Sequence, residues 1–168
     1  NGARIDAIRS HIEDLNLDEE LKAVMLVSLM EAADRVDSTV GLQMAYLKKW
    51  APRAHKDIAL RVPKLLPRST YGKSQAYNSD ARDFVSQVSV DVAYLDPPYN
   101  QHKYLANYHI WESLVRWDKP EVYGVACKRV DVRQRKSPYN SKRVAVVVDD
   151  GHVTHTPDGF ALNAPNEA

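Results

Sequence analysis

Val92-Ala93-Tyr94-Leu95-Asp96-Pro97-Pro98-Tyr99 is the stretch on which the reading of this chain turns. An apolar run bounded by turn residues predicts a buried strand over Asp91 to Leu95. The strand runs into an acid, two prolines and an aromatic. The prolines fix φ and remove two backbone donors, and the residue before a proline is pushed out of the helical region. The segment is therefore stiff and extended, and no following helical turn consumes the carbonyls of Asp96 and Pro97. One strand end thus offers an anionic acceptor, a neutral carbonyl acceptor and a flat aromatic face. That set suits an exocyclic amine on a flat ring, with the acceptors taking the N–H groups and the aromatic stacking on the ring. The plainer reading is a Pro-Pro turn that ends a buried strand.

Working outward, the flanks carry Tyr99-Asn100-Gln101-His102, Asn107-Tyr108-His109, Trp117-Asp118-Lys119-Pro120 and Lys136-Ser137-Pro138-Tyr139-Asn140-Ser141. With Asp96-Pro97-Pro98-Tyr99, the region from Asp91 to Ser141 resembles the adenine-specific, Dam-type alpha group of the amino-methylating DNA methyltransferases. The four-residue motif alone is moderately specific; with its flanks the resemblance is strong.

The 168 residues suit one domain of ordinary size with a single core. The formal net charge of +1 says little, but its distribution is uneven. Glu13, Asp14, Asp18, Glu19, Glu20, Glu31, Asp34 and Asp37 make the first forty residues acidic. From Lys48 to Lys73 the balance reverses: Lys48, Lys49, Arg53, Lys56, Arg61, Lys64, Arg68 and Lys73 face only Asp57. A second basic stretch holds Lys128, Arg129, Arg133, Arg135, Lys136, Lys142 and Arg143. Such asymmetry points to a polyanion-facing side; a solvated surface is the plain alternative. Cys127 is the single cysteine, so no intrachain disulfide forms, which fits a reducing cytoplasm. Neither Cys-His zinc spacing nor a His-Glu-x-x-His pattern occurs, so no metal is expected. No apolar run is long enough to span a bilayer, and no membrane partner is expected.

Ile5, Ile8, Ile12 and Leu15 recur at helical spacing and predict a helix over 3–15. Asp18 is set to cap a second helix running to about Val36, with Glu19 and Glu20 favourable at its positive end. Leu21, Val24, Met25, Ser28, Leu29 and Ala32 are its expected inner face. Val40, Met44 and Leu47 predict a third short helix before Pro52. From Ala51 to Gly72 the pattern dissolves, with one candidate strand at Ile58–Val62. Asp80 to Val85 can start a short helix, Ile110 to Val115 reads as helix, and Val144 to Val148 as strand. The rest of the tail, with Gly151, Pro157, Gly159 and Pro165, reads as loop or disorder. This is an α/β order. In open α/β sheets ligands sit beyond the carboxyl ends of strands, where Asp96 falls. The expectation is a single domain over 1–168: a partial S-adenosylmethionine-dependent methyltransferase fold with a Rossmann-like sheet, a helical N-terminal part and a divergent or disordered tail over 144–168.

The resemblance implies methyl transfer from S-adenosyl-L-methionine to the N6 amine of an adenine flipped out of double-stranded DNA. Asp96, Pro97, Pro98 and Tyr99 are then the catalytic residues. An aromatic amine is a poor nucleophile because its lone pair is delocalised. Acceptors placed against its N–H groups favour the pyramidal form, and Tyr99 stacks on the base. The family places an acidic residue some fifteen positions before the catalytic Asp to hold the donor's adenine. Asp80, with Ala81, stands in that place. An ordinary helix N-cap is the other reading of Asp80.

Two family features are not matched: the acidic residue that binds the donor's ribose is not identifiable, and a glycine turn is missing. The Phe-x-Gly-x-Gly turn that wraps the donor's methionine end has no counterpart, because Gly2, Gly41, Gly72, Gly124, Gly151 and Gly159 are isolated. The resemblance implies that this element precedes the present chain, which reads as the middle and catalytic part of a larger enzyme. Residues 48–73 lie where the alpha arrangement inserts its DNA-recognition region. Lys128, Arg129, Arg133 and Arg135 are candidate backbone contacts near the flipped base. A restriction–modification or genome-marking role is implied, with a cognate restriction endonuclease as partner. Transfer to cytosine or RNA is a near alternative, though the flanks favour adenine. A non-catalytic DNA-binding fragment is the alternative from another class.

Overall fold

The computed structural model describes residues 1–43, 47–85, 87–94, 96, 103–135, 145–149 and 152–156. The stretch read as one domain packs as two compact units: Asn1–Leu66 with Tyr104–Arg135, and Pro67–Lys103 with Lys136–Ala168.

The first unit is built on helices. α1 spans Gly2–Asp14 and α2 spans Glu19–Asp34. Asp18 caps α2 as its side chain predicts, accepting from the Leu21 amide at 2.9 Å. Ile12 on α1 and Leu29 on α2 are buried together with Leu114 of a later helix. Ile5, Ile8, Met25, Leu26, Met30, Ile58 and Trp111 close around them. The helical periods therefore place the core stripe correctly, except at its ends. Leu21 is 46% exposed and Leu15 is also exposed; both lie at the tip where α1 turns into α2, outside the described core cluster. Residues 40–43 and 47 are not helical, so the expected third helix is absent from them; Met44 lies outside the described residues.

Ile58 to Val62 forms no strand. The segment is instead strapped to α2 by side chains: the Ser28 hydroxyl donates to the Arg61 carbonyl at 2.6 Å, and Arg35 donates to that of Ala59 at 3.0 Å. Carbonyls engaged by helix side chains satisfy the backbone without a ladder.

After the second unit's insertion the chain returns through α4, Tyr104–Asn107, and α5, His109–Arg116. A short hairpin follows, in which β1, Val122–Tyr123, pairs antiparallel with β2, Lys128–Arg129. A 3-10 turn at Val130–Arg133 buries Val132. α5 packs on α2 and on β2.

Arg9 joins the first and last helices of this unit. Its guanidinium is buried and donates to the Leu114 carbonyl at 2.6 Å and the Val115 carbonyl at 3.1 Å. Those carbonyls belong to the last turn of α5, where no intrahelical partner remains. A cation there also meets the negative end of the helix. The guanidinium lies 5.1 Å from the ring centre of Trp117. Trp117 ends α5 in the left-handed region at φ 53°. Glu13 sits 2.6 Å from Arg9 Nη1, off the hydrogen-bonding direction, and also pairs with Lys22 at 2.8 Å. Lys22 and then Arg9 hold its carboxyl below the usual range.

In the second unit, α3 spans Ala81–Val85. β3, Ala145–Asp149, pairs antiparallel with β4, His152–Thr156, in unbroken register from Ala145–Thr156 to Asp149–His152. β3 occupies the stretch predicted as strand, whereas β4 falls in residues read as loop. The Val-Thr alternation around His152 to Thr156 supplies the β-branched residues a hairpin needs. Both sheets among the described residues are two-stranded and antiparallel. No helix among the described residues is long and apolar enough to cross a membrane.

Candidate functional site

Asp96 is exposed at the end of an irregular stretch, 91–94. The predicted strand is not formed over these residues: Val92 is 86% and Tyr94 88% exposed. The physical reason lies in pairing. A strand exists only with a neighbour to take its backbone groups. Among the described residues, neither hairpin pairs with 91–94. Leu95, Pro97, Pro98 and Tyr99 lie outside the described residues, as do the Lys136–Ser141 flank, Lys142 and Arg143.

Asp80 and Ala81 sit at the start of α3 in the same unit as Asp96. The Asp80 carbonyl accepts from the amides of Asp83 at 3.1 Å and Phe84 at 3.0 Å, so the residue opens the helix. Beside it lies a groove of about 740 Å³ lined by Ser79, Ala81, Tyr77, Phe84, Gln75 and Val88, among others. The rings of Tyr77 and Phe84 meet at 4.7 Å between centroids, tilted by 40°. This aromatic wall was not singled out from the sequence. Its only local signal is one aromatic on each side of Asp80.

The four candidate phosphate contacts are placed very differently. Arg129 is 2% exposed. Its Nη1 and Nη2 donate to the two carboxylate oxygens of Asp118, each at 2.7 Å. Nε and Nη2 donate to Asp131 at 3.1 Å. The fork of Arg129, a residue read from the sequence as a candidate phosphate contact, is filled by two carboxylates inside the fold. The same bonds depress both carboxyls, with Arg129 the leading cause in each case, and push the guanidinium pKa up. Around this centre, Arg116 approaches Asp118 at 3.0 Å, and Arg135 donates to Glu112 at 2.9 Å. Arg133 lies over the Tyr123 ring at 3.9 Å. Arg133 and Arg135 remain exposed, and Lys128 is half-buried.

In the basic stretch, residues 48–66 belong to the first unit and 67–73 to the second. Arg53 is tied to Asp37 and donates to the Thr39 carbonyl at 3.0 Å. Trp50, Leu65, Leu66 and Tyr71 are exposed between the cations.

His109, inside the Asn107-Tyr108-His109 motif, is 0% exposed, and neither ring nitrogen reaches hydrogen-bonding geometry with a partner among the described residues. Burial lowers its pKa, the Gln43 backbone beside the ring acts to raise it, and the charges of Lys128 and Arg129 lower it further. The unfolded chain therefore takes up this proton first. Stability is full above the ordinary histidine pKa of about 6.5 and is lost as pH falls below it. Urea titrations followed by tryptophan fluorescence should show that decline between about pH 7 and 5, and His109→Leu should flatten it. A second loss, from Asp118 and Asp131, should begin below about pH 4. No group of three or more His, Cys, Asp or Glu able to hold a metal occurs among the described residues.

Residues 1–162 match the family described as D12 class N6 adenine-specific DNA methyltransferase. Modification methylase StsI of Streptococcus sanguinis is 34% identical over 151 residues, 88% of this chain and 23% of its own length. Type II methyltransferase M.FokI of Planomicrobium okeanokoites is 35% identical over 147 residues, covering 85% of this chain and 22% of the relative. Type II methyltransferase M.NlaIII of Neisseria lactamica is 38% identical over 122 residues, or 70% and 36%. The chain thus spans between a fifth and two fifths of these relatives. No solved structure matches. With nearly the whole chain inside one family's bounds, the protein belongs to the D12 class of N6 adenine-specific DNA methyltransferases.

Proposed function

We propose that this chain is the catalytic segment of a site-specific DNA adenine methyltransferase of a restriction–modification system. It would act in the cytoplasm on double-stranded DNA alongside a cognate restriction endonuclease. The observation that carries the reading is the exposed carboxylate of Asp96 in the same unit as the aromatic-walled groove at Asp80 and Ala81.

The groove fits the adenine end of S-adenosyl-L-methionine: Tyr77 and Phe84 offer flat apolar surface, and Ser79, Gln75 and Gln87 offer polar atoms along it. Asp80 and Ala81 would hold that end. When bound, this donor supplies an electrophilic methyl group. The chain's own part is to prepare the amine. Asp96 and the Pro97 carbonyl accept the two N–H groups, which frees the nitrogen lone pair and stabilises the positive charge that develops on it. Pro98, which has no backbone N–H, would leave the acceptors free for the amine, and Tyr99 would stack on the extruded base. Asp96 takes the proton as the methyl arrives. Around this centre, the Rossmann-like sheet expected from the family would supply strand neighbours for 91–94, which are irregular among the described residues. Residues 48–73 would read the DNA, and Lys128, Arg133 and Arg135 would meet its phosphates.

The test is transfer of labelled methyl from S-adenosyl-L-methionine to unmethylated DNA, with nucleoside analysis of the product. Labelled 6-methyladenine is the expected result. The isolated glycines favour a second reading, a DNA-binding segment without its own donor site. A folded chain that binds DNA and transfers nothing would establish that reading instead.

A further inference from the structure

The turn Ser69-Thr70-Tyr71-Gly72 carries the most exposed large side chain described. Tyr71 is 100% exposed, yet its backbone is held in a hydrogen-bonded turn. The Gly72 amide donates to the Ser69 carbonyl at 3.2 Å, and Ser69 and Gly72 form an antiparallel bridge. The Ser69 hydroxyl accepts from the Tyr71 amide at 3.1 Å. Gly72 closes the turn at φ 113°, a conformation that a side chain there would strain. Turn tips of this kind ordinarily carry small polar residues. Arg68 and Lys73 flank the tip and are exposed. A rigid pedestal thus holds one aromatic ring in water between two cations.

We propose that Tyr71 is a base-stacking residue, inserting its ring at a base step of the substrate duplex while Arg68 and Lys73 meet the adjacent phosphates. This rests on the DNA-substrate reading above and goes beyond it by naming the residue that touches bases in the basic stretch. The pedestal matters because the backbone beneath the ring is already ordered, so insertion costs only the side chain's own rotamer freedom. An aromatic accepts any base, so Tyr71 contributes grip and local unstacking rather than sequence choice.

Binding of the full chain to a labelled mixed-sequence duplex, followed by anisotropy across salt concentrations, tests this. Tyr71→Ala should weaken binding about fivefold or more, with Tyr71→Phe near the parent. The slope of log affinity against log salt should stay unchanged, since no phosphate contact is removed. An abasic site, where the gap is already open, should strengthen binding of the parent but not of Tyr71→Ala. Parent-like affinity of Tyr71→Ala would overturn the proposal and leave the DNA reading intact. A weaker Tyr71→Ala with a shallower salt slope would also overturn it, showing that the ring only places the cations. No binding of the parent at any salt would sink the DNA reading and this proposal with it.

Discussion

Asp96→Ala should lower methyl transfer by at least about 10³-fold, the scale expected when a preorganised group facing developing charge is removed. The loss should fall on the chemical step. Asp96 is exposed on an irregular stretch and is not among the described core residues. The circular dichroism spectrum and unfolding midpoint should therefore stay with the parent. Asp96→Asn keeps an acceptor oxygen but loses the charge and should retain a small fraction of the rate. Single-turnover transfer of labelled methyl is the measurement. Substantial residual transfer by Asp96→Ala would remove the residue from the mechanism. A lowered midpoint would give it a structural duty instead.

The second large effect falls on stability. Arg129→Ala should cost about 3 kcal/mol, the low end for breaking a buried ion pair, because Asp118 and Asp131 keep part of their water contact. The remaining carboxylates would face each other near Glu112 without their shared cation. The small core around Ile12, Leu29 and Leu114 leaves little reserve against such a loss. Arg129→Lys should recover only part, since an ammonium cannot present the fork that bridges Asp118. Urea unfolding of the single variants and of Arg129→Met with Asp118→Asn would isolate the pair. If instead Arg129→Ala keeps its stability and loses affinity for DNA, the guanidinium serves phosphate after all.

The difference between Asp18 and Arg129 shows how far sequence reading reaches. The cap at Asp18 is a local matter: its partner amide is three residues on, and the periods of α1 and α2 are written beside it. Arg129 announces only its charge. Whether that charge faces solvent or a carboxylate depends on Asp118, brought round by the left-handed residues Trp117 and Lys119 and the β1–β2 hairpin. The stretch 91–95 marks another boundary. Its composition describes a buried strand, but a strand is a property of a sheet, and among the described residues 91–94 are paired with no strand. Tyr77 and Phe84 became neighbours only once α3 turned the chain between them. In each case the residue type was legible and the neighbour was not.

Arg9 also sets an order of events. The carbonyls it caps lie 105 and 106 residues further along, so a ribosome delivers α1 and α2 long before α5 exists. Through that interval Arg9 has Glu13 but no helix end, and its charge beside Ile5, Ile8 and Ile12 opposes burial of the α1–α2 face against anything apolar. Only when Leu114 and Val115 emerge does the guanidinium find acceptors, and closing so long a loop makes α5 docking a late and slow step. Pulse-labelled hydrogen exchange should protect the amides of α5 after those of α1 and α2, with Arg9→Leu blurring the sequence.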